Sequence, residues 1–128
     1  MKRVTTAVLA LWIACMALAG CTPDFNGSRV KNDTQYLLEY TQFDSTDSHT
    51  LFLQEGDELH VGIVSKEGSV SIAIEDEAGE PVYRGTKIAD TCDFDVAIQE
   101  TGAYTVTVTG ETAEGSVSFT VKNDKNGG

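Results

Sequence analysis

From Tyr36 to Val121 the apolar residues recur at nearly every second position, and this alternation limits the possible folds more than any other feature. A period of two sends one set of side chains to one face of an extended strand and the polar set to the other. Residues 36–43 read as a first strand, and residues 50–54 as a second with Leu51 and Leu53 on one face. Leu59, Val61 and Ile63 share a third, with His60 and Gly62 facing away; Val70, Ile72 and Ile74 mark a fourth, with Ser71, Ala73 and Glu75 outward. Pro81 has no amide proton, so 82–83 can be only a short or edge strand. Cys92 falls on the face of Phe94, Val96 and Ile98, which predicts a buried, inert thiol. Tyr104, Val106 and Val108 line a seventh strand, with Thr105, Thr107 and Thr109 outside, and Val117, Phe119 and Val121 line the last.

Between these runs stand turn residues. Asp44, Ser45, Asp47 and Ser48 end the first strand, Glu55-Gly56-Asp57 the second and Lys66-Glu67-Gly68 the third. Residues 76–80, with Gly79, predict a tight hairpin; 85–91 a loop; Glu100-Thr101-Gly102 and 110–114 further turns. Some eight short strands with turn signals every ~8–12 residues predict an all-β domain, an antiparallel β-sandwich of immunoglobulin-like or jelly-roll type. One pentapeptide repeats: Glu67-Gly68-Ser69-Val70-Ser71 returns as Glu114-Gly115-Ser116-Val117-Ser118, each copy opening a strand.

The first 20 residues differ in kind. Lys2 and Arg3 precede a nearly unbroken apolar run, which ends in Leu18-Ala19-Gly20-Cys21. A charged start, an apolar stretch shorter than the ~20 residues of a spanning helix, and small residues before a cut form the layout of a secretory signal. The tetrapeptide resembles the lipobox of bacterial lipoprotein precursors. That resemblance implies lipidation of the Cys21 thiol by a diacylglyceryl group, palmitate being the usual kind of chain, and cleavage before Cys21. It places the protein on the cell membrane or the outer membrane, facing away from the cytoplasm. The expected organisation is a signal peptide over 1–20, the lipidated cysteine and a flexible tether over 21–35, a β-sandwich over 36–122 and a frayed tail over 123–128. The tether reading rests on Pro23, Asn26, Gly27, Ser28, Asn32 and Asp33, among which no apolar period runs.

Loss of Lys2 and Arg3 with the signal takes the formal charge from −11 to −13. So acidic a domain is repelled by nucleic acid and by anionic headgroups. The expected partners are therefore the membrane, through the lipid on Cys21, and a protein or glycan. The body resembles the β-sandwich of bacterial pre-peptidase C-terminal domains and, more loosely, GOLD-type domains. The resemblance lies in Gly56-Asp57-Glu58-Leu59-His60-Val61, in residues 74–83 and in Gly102-Ala103-Tyr104-Thr105-Val106. It implies fold rather than chemistry, since these are turn and core positions. Gly56 and Gly79 allow positive φ. Tyr104, just after Gly102, can return its hydroxyl to an upstream backbone group as in a tyrosine corner.

The candidate sites are sparse. His49 and His60 stand apart with no paired-ligand spacing, and zinc needs more His or Cys than the chain offers. Calcium is the one ion the loops could serve, through Asp44 with Asp47, Asp76, and Asp90 with Asp93 and Asp95. No EF-hand spacing is present, so solvated turns are the expectation, with no cofactor. Tyr36, Tyr40 and Tyr83 are the candidates for a sugar-stacking patch. The sequence thus points to a membrane-anchored, non-catalytic binding module. The alternatives are a calcium- or glycan-binding accessory, or a small envelope enzyme or inhibitor on the same fold.

Overall fold

The computed structural model describes residues 24–122, so the lipobox and residues 123–128 lie outside the described residues. The elements are β1 (Phe25–Lys31), β2 (Gln35–Phe43), β3 (Thr46–Leu53), β4 (Glu58–Glu75), β5 (Pro81–Ile88), β6 (Cys92–Ala97) and β7 (Gly102–Lys122). All pairings are antiparallel. Hydrogen bonds join the seven strands into one sheet, folded over on itself.

The fold line merges two pairs of the eight expected strands, into β4 and β7, and β1, not expected as a strand, brings the described number to seven. β4 and β7 pair along their length, from Glu58↔Lys122 to Glu75↔Thr105. Residues 66–68 and 110–114, expected as turns, are bends inside these two strands. The register slips between Ser65 and Glu67 and again between Glu67 and Ser69. An extra residue at a bulge lets a strand bend while the same face stays on the core. Accordingly the buried positions on β4 are odd before the bend (Leu59, Val61, Ile63) and even after it (Val70, Ile72, Ile74). On β7 they switch from even (Tyr104, Val106, Val108) to odd (Val117, Phe119). The link between β2 and β3 bends at the same level, with β2 on one half of β7 and β3 on the other. One layer is therefore β1–β2–β7–β4–β6, and the facing layer is β3–β7–β4–β5.

The repeated pentapeptide sits on this crease. Glu67 pairs with Glu114, and the local two-fold axis of an antiparallel ladder at that pair carries one copy onto the other. Gly68 (φ +69°) lies against the β7 backbone, where a Cβ would stand 2.2 Å from the Thr112 carbonyl oxygen. Gly115 (φ +144°) meets β4 the same way, 1.9 Å from the Val64 carbonyl oxygen. The repeat is explained by the bend: both strands need a glycine where backbone touches backbone.

Four further expectations are corrected. Phe25–Lys31, read as tether, is an edge strand paired with β2. It buries almost nothing, so no alternation betrays it, and its Gly27 lies where a Cβ would overlap the Glu39 carbonyl oxygen. Asp47 and Ser48 belong to β3 rather than to a turn, and β5 runs on to Ile88 through the expected loop. Cys92 is exposed, although it shares a face with Phe94, Val96 and Ile98. Burial along that face fades from Ile98 (3% exposed) and Val96 (8%) towards the start of β6, at the rim of the layer.

Between the layers lies one core, which includes Tyr36, Leu38, Phe43, Leu51, Leu59, Ile72, Val106 and Phe119. Each such side chain contributes about 1.5–3 kcal/mol when fully removed from water. Among the described residues no buried side-chain polar atom lacks a hydrogen-bond partner.

Candidate functional site

The two ends of the folded sheet are built differently. At the open end, opposite the crease, short turns are closed by side chains. The Asp57 carboxylate accepts the Gln54 amide at 2.9 Å and Asp57 is itself buried; Gly56 takes φ +95° and donates its amide to the Ile98 carbonyl. Asp76 accepts the amides of Ala78 and Glu80, both at 2.9 Å, around Gly79 at φ +84°. Glu77 reaches from this hairpin to accept the Ala103 amide at 2.8 Å, beside Gly102. The Tyr104 hydroxyl donates to the Glu100 carbonyl four residues upstream, and burial raises its pKa. These residues hold turns in place, and Asp76 is occupied in doing so.

The remaining aspartates considered for calcium are scattered. Asp44 accepts the Thr112 amide at 3.2 Å across the crease. Asp47 lies between Arg29 (3.1 Å) and Lys31 (3.2 Å) and accepts the Tyr36 hydroxyl at 2.5 Å. That hydroxyl, buried and bonded to a carboxylate, has its pKa raised well above the ordinary tyrosine value. Asp90 is exposed on the β5–β6 connection. Among the described residues no group of three or more His, Cys, Asp or Glu is placed to hold a metal ion.

Each outer face of the sandwich has its own chemistry. Across the five-stranded layer runs a shallow cleft of about 460 Å³, lined by Gly27, Ser28, Glu39, Lys66 and Ser116 among others. Further along this face His60 sits between carboxylates. Its Nδ1 is 2.6 Å from Asp95 and its Nε2 is 3.7 Å from Asp93, while Lys122 reaches Asp95 at 3.6 Å. The hydrogen bond from His60 holds the Asp95 carboxyl below the usual carboxylate range. Both ring nitrogens face carboxylates, in an exposed cluster that Lys122 joins through Asp95.

The outer face of the four-stranded layer carries hydroxyls. Thr46, Ser48 and Thr50 on β3 stand directly opposite Thr109, Thr107 and Thr105 on β7. The Thr46 and Thr109 hydroxyls lie 3.1 Å apart. Next in the β3 row comes Phe52, 78% exposed, the most exposed large apolar side chain described. The three tyrosines considered as candidates for an aromatic patch do not form one. Tyr36 and Tyr40 are core residues, burial lifting the Tyr40 pKa to about 12, and Tyr83 packs on Phe94 with ring centroids 4.8 Å apart. Phe52 escaped the sequence reading, yet its signal was there: if Leu51 and Leu53 face inward, the residue between them faces solvent.

The folded, antiparallel two-layer sheet defines a small β-sandwich. No family model and no curated protein matches the chain. Among solved structures, the pre-peptidase C-terminal domain of collagenase from Bacillus anthracis is similar in fold, at 14% identity over 79% of this chain and 99% of that one, with a TM-score of 0.50. A periplasmic inhibitor of g-type lysozyme from Aeromonas hydrophila is more distant, at 14% identity, coverage of 77% and 88%, and a TM-score of 0.46. So is a carbohydrate-binding module of Caldicellulosiruptor saccharolyticus in complex with mannohexaose, at 8% identity, coverage of 76% and 80%, and a TM-score of 0.48. At such identities the likeness is one of fold.

Proposed function

We propose that this chain is a non-catalytic binding module, held outside the cytoplasm by lipid on Cys21. The observation that carries the binding role is Phe52. An aromatic ring exposed on a paired strand, with its backbone fixed by the pairing to β7, is a ready contact for a partner and contributes nothing to the core.

The anchor and the fold together imply an orientation. Phe25 pairs with Phe43, beside the crease. The four steps from Cys21 to Phe25 span at most about 14 Å. The crease therefore faces the membrane, and the open end faces away. Phe52, six residues beyond Thr46, stands about 20 Å farther out. In this orientation Glu55, Asp76, Glu77 and Glu100 of the open end are directed away from anionic headgroups, while the exposed Asp44, Glu67 and Glu111 of the crease face them.

The test of the anchor is the intact mass of the native protein, together with fractionation of Cys21→Ser. The expected results are a chain beginning at Cys21 with two or three acyl chains, and release of the variant from the membrane. An unmodified thiol on a chain beginning at Met1 would overturn the reading.

A further inference from the structure

We infer that the hydroxyl-lined outer face of the four-stranded layer, with Phe52 at its end, binds a neutral linear polysaccharide. The inference rests on the binding-module reading and names its ligand class.

Protein partners meet on patches with an apolar centre, and the large apolar side chains exposed on this face are Phe52 and, away at the β5 edge, Val82. It offers instead a regular grid of short hydroxyl side chains. Along β3, Thr46, Ser48 and Thr50 repeat every ~6.8 Å, and the β7 row lies ~5 Å to the side. Each hydroxyl both donates and accepts, as the hydroxyls of a sugar do. The short side chains also lose little rotamer freedom when a ligand settles on them. At the end of the row the Phe52 side chain is 78% exposed, and the C–H-rich face of a pyranose can stack on such a ring. The row from Thr46 to Phe52 is about 20 Å long, room for roughly four sugar units of an extended chain.

Charge selects for a neutral polymer. The charges beside the grid are mostly paired: Arg84 with Glu75 at 3.5 Å, and Lys87 with Glu111 at 3.9 Å, while Glu77 at the Phe52 end accepts the Ala103 amide. The chain as a whole is strongly acidic, with a formal charge of −11, and repels polyanions. The cluster of His60, Asp93, Asp95 and Lys122 is on the other outer face.

The test uses the detergent-solubilised full chain, retained on insoluble cellulose, mannan and xylan, with polygalacturonate as the anionic comparison. Retention is expected on at least one neutral polymer and not on polygalacturonate. Phe52→Ala should lower it by about tenfold. Thr107→Val, which keeps the strand but removes one hydroxyl, should lower it less, and Ser118→Ala on the opposite face should leave it unchanged. Unaltered melting of all three variants shows that the fold is intact. Equal retention of Phe52→Ala and the native chain would overturn the inference, as would binding to no neutral polymer. If no glycan is held while a protein crosslinks to this face, the ligand class is wrong and the binding module stands. If neither occurs, both readings fall.

Discussion

The crease and the open end both depend on glycine and on aspartate, but for different physical reasons. At the open end Gly56 and Gly79 are needed only for their positive φ: a Cβ on either would meet nothing within 4 Å. At the crease the same residue type is needed twice over. Gly68 and Gly115 have positive φ, and each is pressed against the backbone of the facing strand. The difference teaches that a glycine beside polar residues can mark a turn that tolerates change or a bend that does not. The crease organises the sandwich; the open end is free to carry a ligand.

Substitutions can break this comparison. The largest effect is expected from Gly115→Ala, where backbone strain adds to a Cβ placed 1.9 Å from the Val64 carbonyl oxygen. The loss should be about 4 kcal/mol or more by denaturant unfolding, against about 1–2 kcal/mol for Gly56→Ala. Comparable losses would show that the crease is not special. Phe43→Ala comes next. Its ring is fully buried against Gly110 at the bend and packs edge-on to Phe25 at 5.3 Å, so removal should cost about 3–4 kcal/mol.

At the open end Tyr104→Phe removes one hydroxyl bond to the Glu100 carbonyl and should cost about 1 kcal/mol. The smallest effect belongs to the exposed pair on the five-stranded face. The folded-state pKa of Asp95 lies below its ordinary value, so its contribution is present above the unfolded pKa and is lost as pH falls through the folded one. Asp95→Asn should therefore lower the melting temperature slightly at pH 7, and the gap to the native chain should close in the acid range. A gap that persists at low pH would remove the His60 contact as its cause.

Much of the architecture could be read from the residues, and the failures have physical causes. Alternation reported the buried faces of β2, β4 and β7 because each layer is wet on one side. The odd-to-even switch from Ile63 to Val70, and the reverse from Val108 to Val117, carried the bend. A polar, glycine-containing segment looks the same whether the chain reverses or merely folds over, so Lys66-Glu67-Gly68 read as a turn. β1 was hidden because an edge strand that buries little has no pattern to show. The exposure of Cys92 depends on how far β6 extends over the core, which parity alone does not give. Of the candidate surface, the Thr105, Thr107 and Thr109 row was visible as the outward side of its strand. That it lies beside Thr46, Ser48 and Thr50, with Phe52 closing the row, depends on long-range pairing between β3 and β7.

The most direct test places a photo-crosslinking side chain at Thr50, on the open half of the hydroxyl face, and separately at Glu67, on the crease, in living cells. The account predicts lipid adducts from Glu67, and from Thr50 an adduct with a non-lipid envelope component that disappears when Phe52 is also replaced by Ala. Lipid adducts from Thr50, with the envelope component captured at Glu67, would contradict it.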